Sequence, residues 1–290
     1  MHDGANARPA VLNPEQIAAQ VAAALLEDVG SGDVTARLVP AAQSAHGNVV
    51  TREEAVLCGR AWAVETFRQL DPAIQLKWHA DDGALLQPGQ KIFELAGPAR
   101  PVLTGERTAL NFLQLLSGTA TEARKFVNAV AGTGCTILDT RKTVPGLRLA
   151  QKYAVECGGA RNHRLGLYDM ILIKENHIAK AGSISAAIAS ARRVATNVKI
   201  EIEVESLAEF DEALAATPDI IMLDDFTHAE LRMAVERSNA GGRRVALEAS
   251  GGVNLQTVRA IAETGVDYIS VGAITKHVRA IDLSLRIGFD

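Results

Sequence analysis

Ionisable residues crowd the ends of a series of apolar runs in the second half of this 290-residue chain, and their types suit recognition of a small, multiply anionic ligand. In order, the runs end in Asp139, Arg141, Lys142 and Thr143; in Lys174, Glu175 and Asn176; in Glu201, Glu203 and Glu205; in Asp224 and Asp225; in Glu248, Ser250 and Gly251; and in Gly272. Arg141 and Arg164 offer planar forks for bidentate contact with carboxylate or phosphate, and Lys142 and Lys174 add compact charges. Such cations repel one another around an empty site, so the natural partner carries several negative charges. Either lysine could instead form a Schiff base, but the neighbouring arginines argue for ion binding over a nucleophile. Glu203 and Asp224 supply hard oxygen ligands for Mg²⁺, which takes one or two carboxylates and fills its shell with water and substrate phosphate. Glu201 and Glu205 share a strand face with Glu203 by alternation and read as structural or supporting residues.

Two glycine-bearing turns add a place for phosphate. ASGGVNLQTV runs from Ser250, Gly251 and Gly252 into a helical pattern, and SVGAITKH carries Gly272. Backbone N–H groups at such turns, helped by the positive end of a helix, cradle anions. His163 lies in GGARNHRLGLYD, where a solvated loop histidine is the plain alternative to a functional one. His46, His79, His228 and His277 lack such company and read as surface or packing residues.

The elements that must position these residues follow from periodicity. TILDTRK, YDMILIK, VKIEIEVE, DIIMLDD, RVALEAS and DYISVGA are strand-like runs, each followed by a helical stretch, which signifies repeated βα units and a parallel sheet covered on both faces. Six units fall short of the eight of a complete barrel, leaving a compact or open barrel against a doubly wound sheet. The barrel is favoured because every unit ends in polar chemistry, whereas a flat sheet concentrates its site at one switch point. Upstream, IAAQVAAALLEDVG (17–30) predicts a helix with a glycine stop, and the texture from His46 to Arg100 predicts short strands with one helix near 59–70, an α+β domain. GERTALNFLQLLSG and TATEARKFVNAVAG predict two further helices, with a domain boundary near 115–120.

Composition narrows the function classes. Apolar residues make up 48% and charged residues 22%, an ordinary globular mixture, and the net charge of −4 argues against a general polyanion-binding surface. Neither nucleic acid nor membrane is an expected partner. Cys58, Cys135 and Cys157 form no CxxC pair or zinc-like spacing, which predicts structural thiols in a reducing compartment. The N-terminus MHDGANARPAVLNPEQ has no leader-peptide pattern, and no run stays apolar for the ~20 residues of a membrane span, so a cytoplasmic location is expected.

The segments GERTALNFLQLLSGTAT, DTRKTVPGLR, ECGGARNHRLGLYDMILIKENHI, EIEVES, IIMLDDF and EASGGVN resemble the quinolinate phosphoribosyltransferase family, also called nicotinate-nucleotide pyrophosphorylases (carboxylating), over most of the chain. The resemblance implies an N-terminal α/β sandwich (1–117) and an open, six- or seven-stranded α/β barrel (118–275). A C-terminal tail (about 276–290) would be placed to pack back on the sandwich, and one strand could be hidden around 145–165. It implies transfer of phosphoribose from phosphoribosyl pyrophosphate to quinolinate with decarboxylation, giving nicotinate mononucleotide, pyrophosphate and CO2, a step of NAD biosynthesis. By motif, Thr140, Arg141, His163, Arg164 and Lys174 would hold quinolinate, and Lys142 would sit by the pyrophosphate. Glu203 and Asp224 would hold magnesium and the ribose, and Ser250, Gly251, Gly252, Gly272 and Ala273 the 5′-phosphate. Lys142, Lys174, Glu203 and Asp224 would be the catalytic set. Arg107, in GERTALN, would reach the site of a second subunit, making a homodimer the working form; spacing alone reads it as an exposed charge near a helix cap. The rivals are relatives with another acceptor, such as nicotinate-specific transferases or molybdenum-associated paralogues, and a phosphate-sensing scaffold without turnover.

Overall fold

In the computed structural model, residues 13–241 and 244–290 are described; residues 1–12, most of the stretch read for a leader, lie outside them. No helix among the described residues is long and apolar enough to cross a membrane. The chain forms two compact units, one of 1–124, 144–159 and 277–290 and one of 125–143 and 160–276.

The first unit carries α1 (Pro14–Val29), β1 (Ser44–Thr51), β2 (Ala55–Val56), α2 (Arg60–Leu70), β3 (Gln75–Trp78), β4 (Leu85–Leu86), β5 (Lys91–Pro98) and the start of α3 (Ala99–Ala129). Its antiparallel sheet is completed by the C-terminal strand, which pairs with β1 from Ala45↔Phe289 to Thr51↔Leu283. Alternation in that sheet buries Val49, Phe93, Leu95 and Leu283 against Phe67, Ala109 and Leu113 of the helices. α1 buries Ile17, Val21 and Leu25, one residue per turn, in a cluster with Trp62 and Leu116.

α3 corrects one expectation. The two helices predicted either side of 117–118 are a single helix of 31 residues, so the expected domain boundary falls inside one regular element. Gly118 does not break it, because its backbone stays helical and its bare Cα is where the Arg279 carbonyl comes closest. Ser117 and Thr121 on the same helix bond across to the backbone of Cys58 and Val56.

The second unit is a six-stranded parallel sheet: β6 (Thr136–Leu138), β7 (Met170–Ile173), β8 (Lys199–Val204), β9 (Ile220–Asp224), β10 (Ala246–Ser250) and β11 (Tyr268–Ser270), in the spatial order β6-β11-β10-β9-β8-β7. Between β6 and β7 the chain leaves this unit to form α4 (Arg148–Cys157), so the segment searched for a hidden strand holds a helix. On its return, Arg161 makes a single parallel bridge to Leu138 on the outer edge of β6. α5 (Glu175–Ala181), α6 (Ile184–Val194), α7 (Leu207–Ala216), α8 (His228–Ala240), α9 (Val258–Ala262) and α10 (Ala273–Lys276) follow the later strands in turn, and β12 (Leu283–Phe289) is the C-terminal strand described above. Ser183, Ser206 and Thr227 cap α6, α7 and α8 through their side-chain oxygens. The caps at Ser206 and Thr227 end the βα loops after β8 and β9 at a defined residue.

Alanine at a mid-helix glycine ordinarily stabilises by roughly 1 kcal/mol. At Gly118 the sign should reverse, because the added methyl group runs into the Arg279 carbonyl. Thermal unfolding followed by circular dichroism should show Gly118→Ala melting several degrees below the parent protein, at roughly 2–4 °C per kcal/mol; an unchanged or raised midpoint would contradict this packing.

Candidate functional site

Strand alternation builds the site in two layers. Lys174, Glu203, Asp224 and Ser250 stand at or just past the carboxyl ends of β7, β8, β9 and β10. Two residues earlier on the same strands are Leu172, Glu201, Met222 and Glu248, which must share their faces. The ladder registers, Glu203↔Met222 and Ser250↔Asp224 among them, bring the strands side by side. A cavity of about 400 Å³ opens over them within the second unit.

Nine residues proposed from the sequence line this cavity: Thr140, Arg141, Lys142, His163, Arg164, Lys174, Glu203, Asp224 and Ser250. Leu172, Met222, Glu248 and Ser270 line it too; of these the sequence marks only Glu248, as a strand-end charge, and gives none of them a ligand. Period two was the signal available for the first three, since each lies two residues before a strand-end residue already chosen. Gly251, Gly252, Gly272 and Ala273 flank the cavity in the chain without lining it. At Gly272 an added Cβ would come 3.0 Å from the Lys142 side chain, so the glycine leaves room for that lysine. Gly251 has φ +95°, and a Cβ there would strike the Asp225 carboxylate, so this turn requires glycine. Arg107 is exposed on α3 in the first unit.

Charge is the dominant feature. Lys174 Nζ donates to Glu203 Oε2 in a close ion pair. Burial, and the Arg141 guanidinium beside it, push Arg164 below the ordinary arginine range. An anion between the two guanidiniums would relieve that repulsion. Lys142 is held from behind, its backbone N–H donating to Thr140 Oγ1 at 3.1 Å and its carbonyl accepting from Thr275 Oγ1 at 2.8 Å. Lys174 follows the same pattern, with its backbone N–H donating to His177 Nδ1 at 3.0 Å.

Beneath the cavity lies a buried acid pair. Glu201 and Glu248 are fully buried, with Glu201 Oε1 and both Glu248 carboxyl oxygens lacking a hydrogen-bond partner among the described residues; burial pushes Glu201 up to about 7 and Glu248 up to about 8. His163 Nε2 donates to Glu201 Oε2 at 2.8 Å and lies 3.6 Å from Glu248 Oε2. Among the described residues, His163, Glu201 and Glu248 are the cluster of three potential metal donors, all within 4.8 Å of one another. Glu203 and Asp224 offer two carboxylates only, so a cation there would draw its remaining ligands from water and substrate.

Linkage fixes the sign of a pH effect. Unfolded, both acids ionise near 4.5, whereas folded they keep their protons to about 7 and about 8. The folded state thus binds more protons across that window, and this contribution to stability is full below pH 4.5 and lost as pH rises through about 8. Urea midpoints should fall between pH 5 and 8, with a shallower fall in Glu248→Gln; equal slopes for the two proteins would contradict a proton held in this pair.

Comparisons with known proteins agree over both units. Residues 33–117 match the N-terminal domain of quinolinate phosphoribosyl transferase, and 119–286 match its C-terminal domain. The solved nicotinate-nucleotide pyrophosphorylase of Francisella tularensis is 47% identical, with a TM-score of 0.93 over 96% of this chain and 98% of that one. A Bacillus subtilis relative, named probable nicotinate-nucleotide pyrophosphorylase (carboxylating), is 43% identical across 90% of each chain. The nicotinate-nucleotide pyrophosphorylase (carboxylating) of Mycobacterium leprae is 42% identical across 91% of this chain and 94% of its own. With both domains matched in order and relatives above 40% identity over nine-tenths of its length, this chain belongs to the quinolinate phosphoribosyl transferase family.

Proposed function

We infer that this chain transfers phosphoribose from phosphoribosyl pyrophosphate to the ring nitrogen of quinolinate and releases CO2, forming nicotinate mononucleotide and pyrophosphate for NAD synthesis. The observation that carries the reading, in a chain of this family, is the cavity that sets Arg141, Arg164 and Lys174 together beside Glu203 and Asp224. Two guanidiniums and an ammonium match a dicarboxylate, at about 1.5–3 kcal/mol for each charge-assisted hydrogen bond. In the same reading Thr140 and His163 complete the quinolinate side. Ser250, Gly251, Gly252, Gly272 and Ala273 bed the 5′-phosphate, a role supported by the glycine turn at Gly251 and Gly252, where no Cβ bars close approach to the backbone.

The residues suit a displacement without a covalent nucleophile. Lys142 lies where it can take up negative charge on the departing pyrophosphate, while Glu203 and Asp224 face the sugar carbon as it becomes positive. The ring nitrogen is cationic once bonded to the sugar; when the adjacent carboxylate departs as CO2 the bonding pair stays on that ring carbon, stabilised by the neighbouring positive charge, and takes up a proton there. The protein's share is orientation and electrostatics. Two hard carboxylates on adjacent strands fit Mg²⁺, and Glu203 and Asp224 would hold it. When bound, it would neutralise phosphate charge.

Three finer points belong to the same reading. The six-stranded sheet is an open barrel, supported by the pairing of its first strand, β6, with its last, β11, leaving an open seam between Arg161 and β7. A homodimer is the working form, with Arg107 completing the site of the other subunit. The location is cytoplasmic, a reading supported by three cysteines in the thiol form.

Purified protein given quinolinate, phosphoribosyl pyrophosphate and Mg²⁺ should release pyrophosphate and CO2 in equal amounts, with nicotinate a poor substitute for quinolinate. Arg141→Ala and Lys174→Ala should each weaken quinolinate binding about ten-fold or more by calorimetry. Asp224→Ala should instead blunt the dependence of rate on magnesium and phosphoribosyl pyrophosphate. Lys174→Ala binding quinolinate as tightly as the parent would remove the assignment. Mixing inactive Arg107→Ala with inactive Lys174→Ala chains should restore part of the activity, since some mixed dimers hold one intact site; no recovery would exclude a shared site.

A further inference from the structure

The turn that carries Arg164 has no regular secondary structure, yet its backbone donors are satisfied one after another by side chains. The His163 N–H donates to Asp139 Oδ1 at 2.8 Å, and the Arg164 N–H donates to His163 Nδ1 at 2.8 Å. The Leu165 and Gly166 N–H groups donate to the two oxygens of Asp169 at 2.7 and 3.0 Å. Arg161, just upstream, is fixed to β6 by its bridge to Leu138.

This arrangement determines the state of the imidazole. Because Nδ1 accepts from a backbone N–H, the ring proton sits on Nε2, which points down to Glu201 Oε2 at 2.8 Å and toward Glu248 behind it. The ring thus spans from the buried acid pair to the backbone of Arg164, with both nitrogens engaged in the protein.

We propose that Glu201, Glu248 and Asp169 are positioning residues for Arg164: the buried acids brace the His163 ring from below, Asp169 clamps the turn from its far side, and together they hold the guanidinium in the cavity. His163 then serves quinolinate as a strut for the Arg164 backbone. Such a brace has a physical purpose, because Arg164 and Arg141 repel each other in a partly buried site and an unsupported turn would let Arg164 swing away. Glu248 lines the cavity floor, 3.6 Å from the same ring nitrogen.

The proposal rests on the reading of Arg164 as a quinolinate ligand, and the test separates the two. Steady-state kinetics are compared for Arg164→Ala, Asp169→Ala, Glu201→Leu, Glu201→Gln and the double variant Arg164→Ala/Asp169→Ala. Asp169→Ala and Glu201→Leu should each raise the KM for quinolinate about ten-fold while leaving the KM for phosphoribosyl pyrophosphate unchanged. Glu201→Gln keeps an oxygen to accept from Nε2 and should stay within about three-fold of the parent. In the Arg164→Ala background, Asp169→Ala should add little, because a residue that acts through Arg164 has nothing left to position. Asp169 is only half-buried, so its variant carries the test even if Glu201→Leu fails to fold. If Arg164→Ala raises the quinolinate KM but Asp169→Ala does not, or if the two effects multiply in full, the positioning role is wrong. If Arg164→Ala itself leaves that KM unchanged, the ligand reading fails and the proposal with it.

Discussion

Crowding of like charge is the constraint on which this site depends. Arg141, Lys142, Arg164 and Lys174 converge on one cavity, and burial of Arg164 beside Arg141 makes the cost plain in its depressed proton affinity. Free side chains would relax that cost by moving apart. Here backbone anchors oppose the movement: Thr140 and Thr275 hold the Lys142 backbone, His177 holds that of Lys174, and His163 and Asp169 hold the turn around Arg164. The repulsion is thereby kept for a ligand to relieve, which is how a preorganised site favours an anion over water.

The parallel sheet makes this arrangement affordable in structural terms. Each of β7, β8, β9 and β10 turns two residues to the cavity side, one at or just past its end and one two residues deeper. The upper layer is ionic, with Lys174, Glu203, Asp224 and Ser250. The lower layer alternates apolar Leu172 and Met222 with Glu201 and Glu248, whose raised proton affinities keep them from adding two full negative charges under the cations. A fully ionised floor would compete with the substrate for the guanidiniums above it. A carboxyl pair that retains a proton supports His163 without that competition.

Chain order adds a second feature. The two cationic segments, Arg141–Lys142 and His163–Arg164, lie on either side of an excursion in which residues 144–159 fold with the first unit. The segments adjoin β6 on both sides of that excursion, one following the strand directly and the other bridged to it through Arg161. Such interleaving is invisible to a reading that divides the chain at a single point. The same is true of α3, where the glycine and hydroxyl residues that predict an interruption are instead the positions at which other backbone approaches the helix.

Local chemistry therefore determined a good deal by itself. Alternation and strand ends identified Lys174, Glu203, Asp224 and Ser250 as neighbours on one rim, because the direction of a side chain follows from its own element's period, and the arginine and lysine types beside them pointed to an anionic ligand. Only the tertiary structure decided what lies beneath. Glu201, Glu248 and His163 are separated by long stretches of chain, and no pattern within any one strand predicts that two buried carboxyls and an imidazole will meet. That meeting is set by the register between strands and by the return of the chain through Arg161, and both depend on packing across the whole unit.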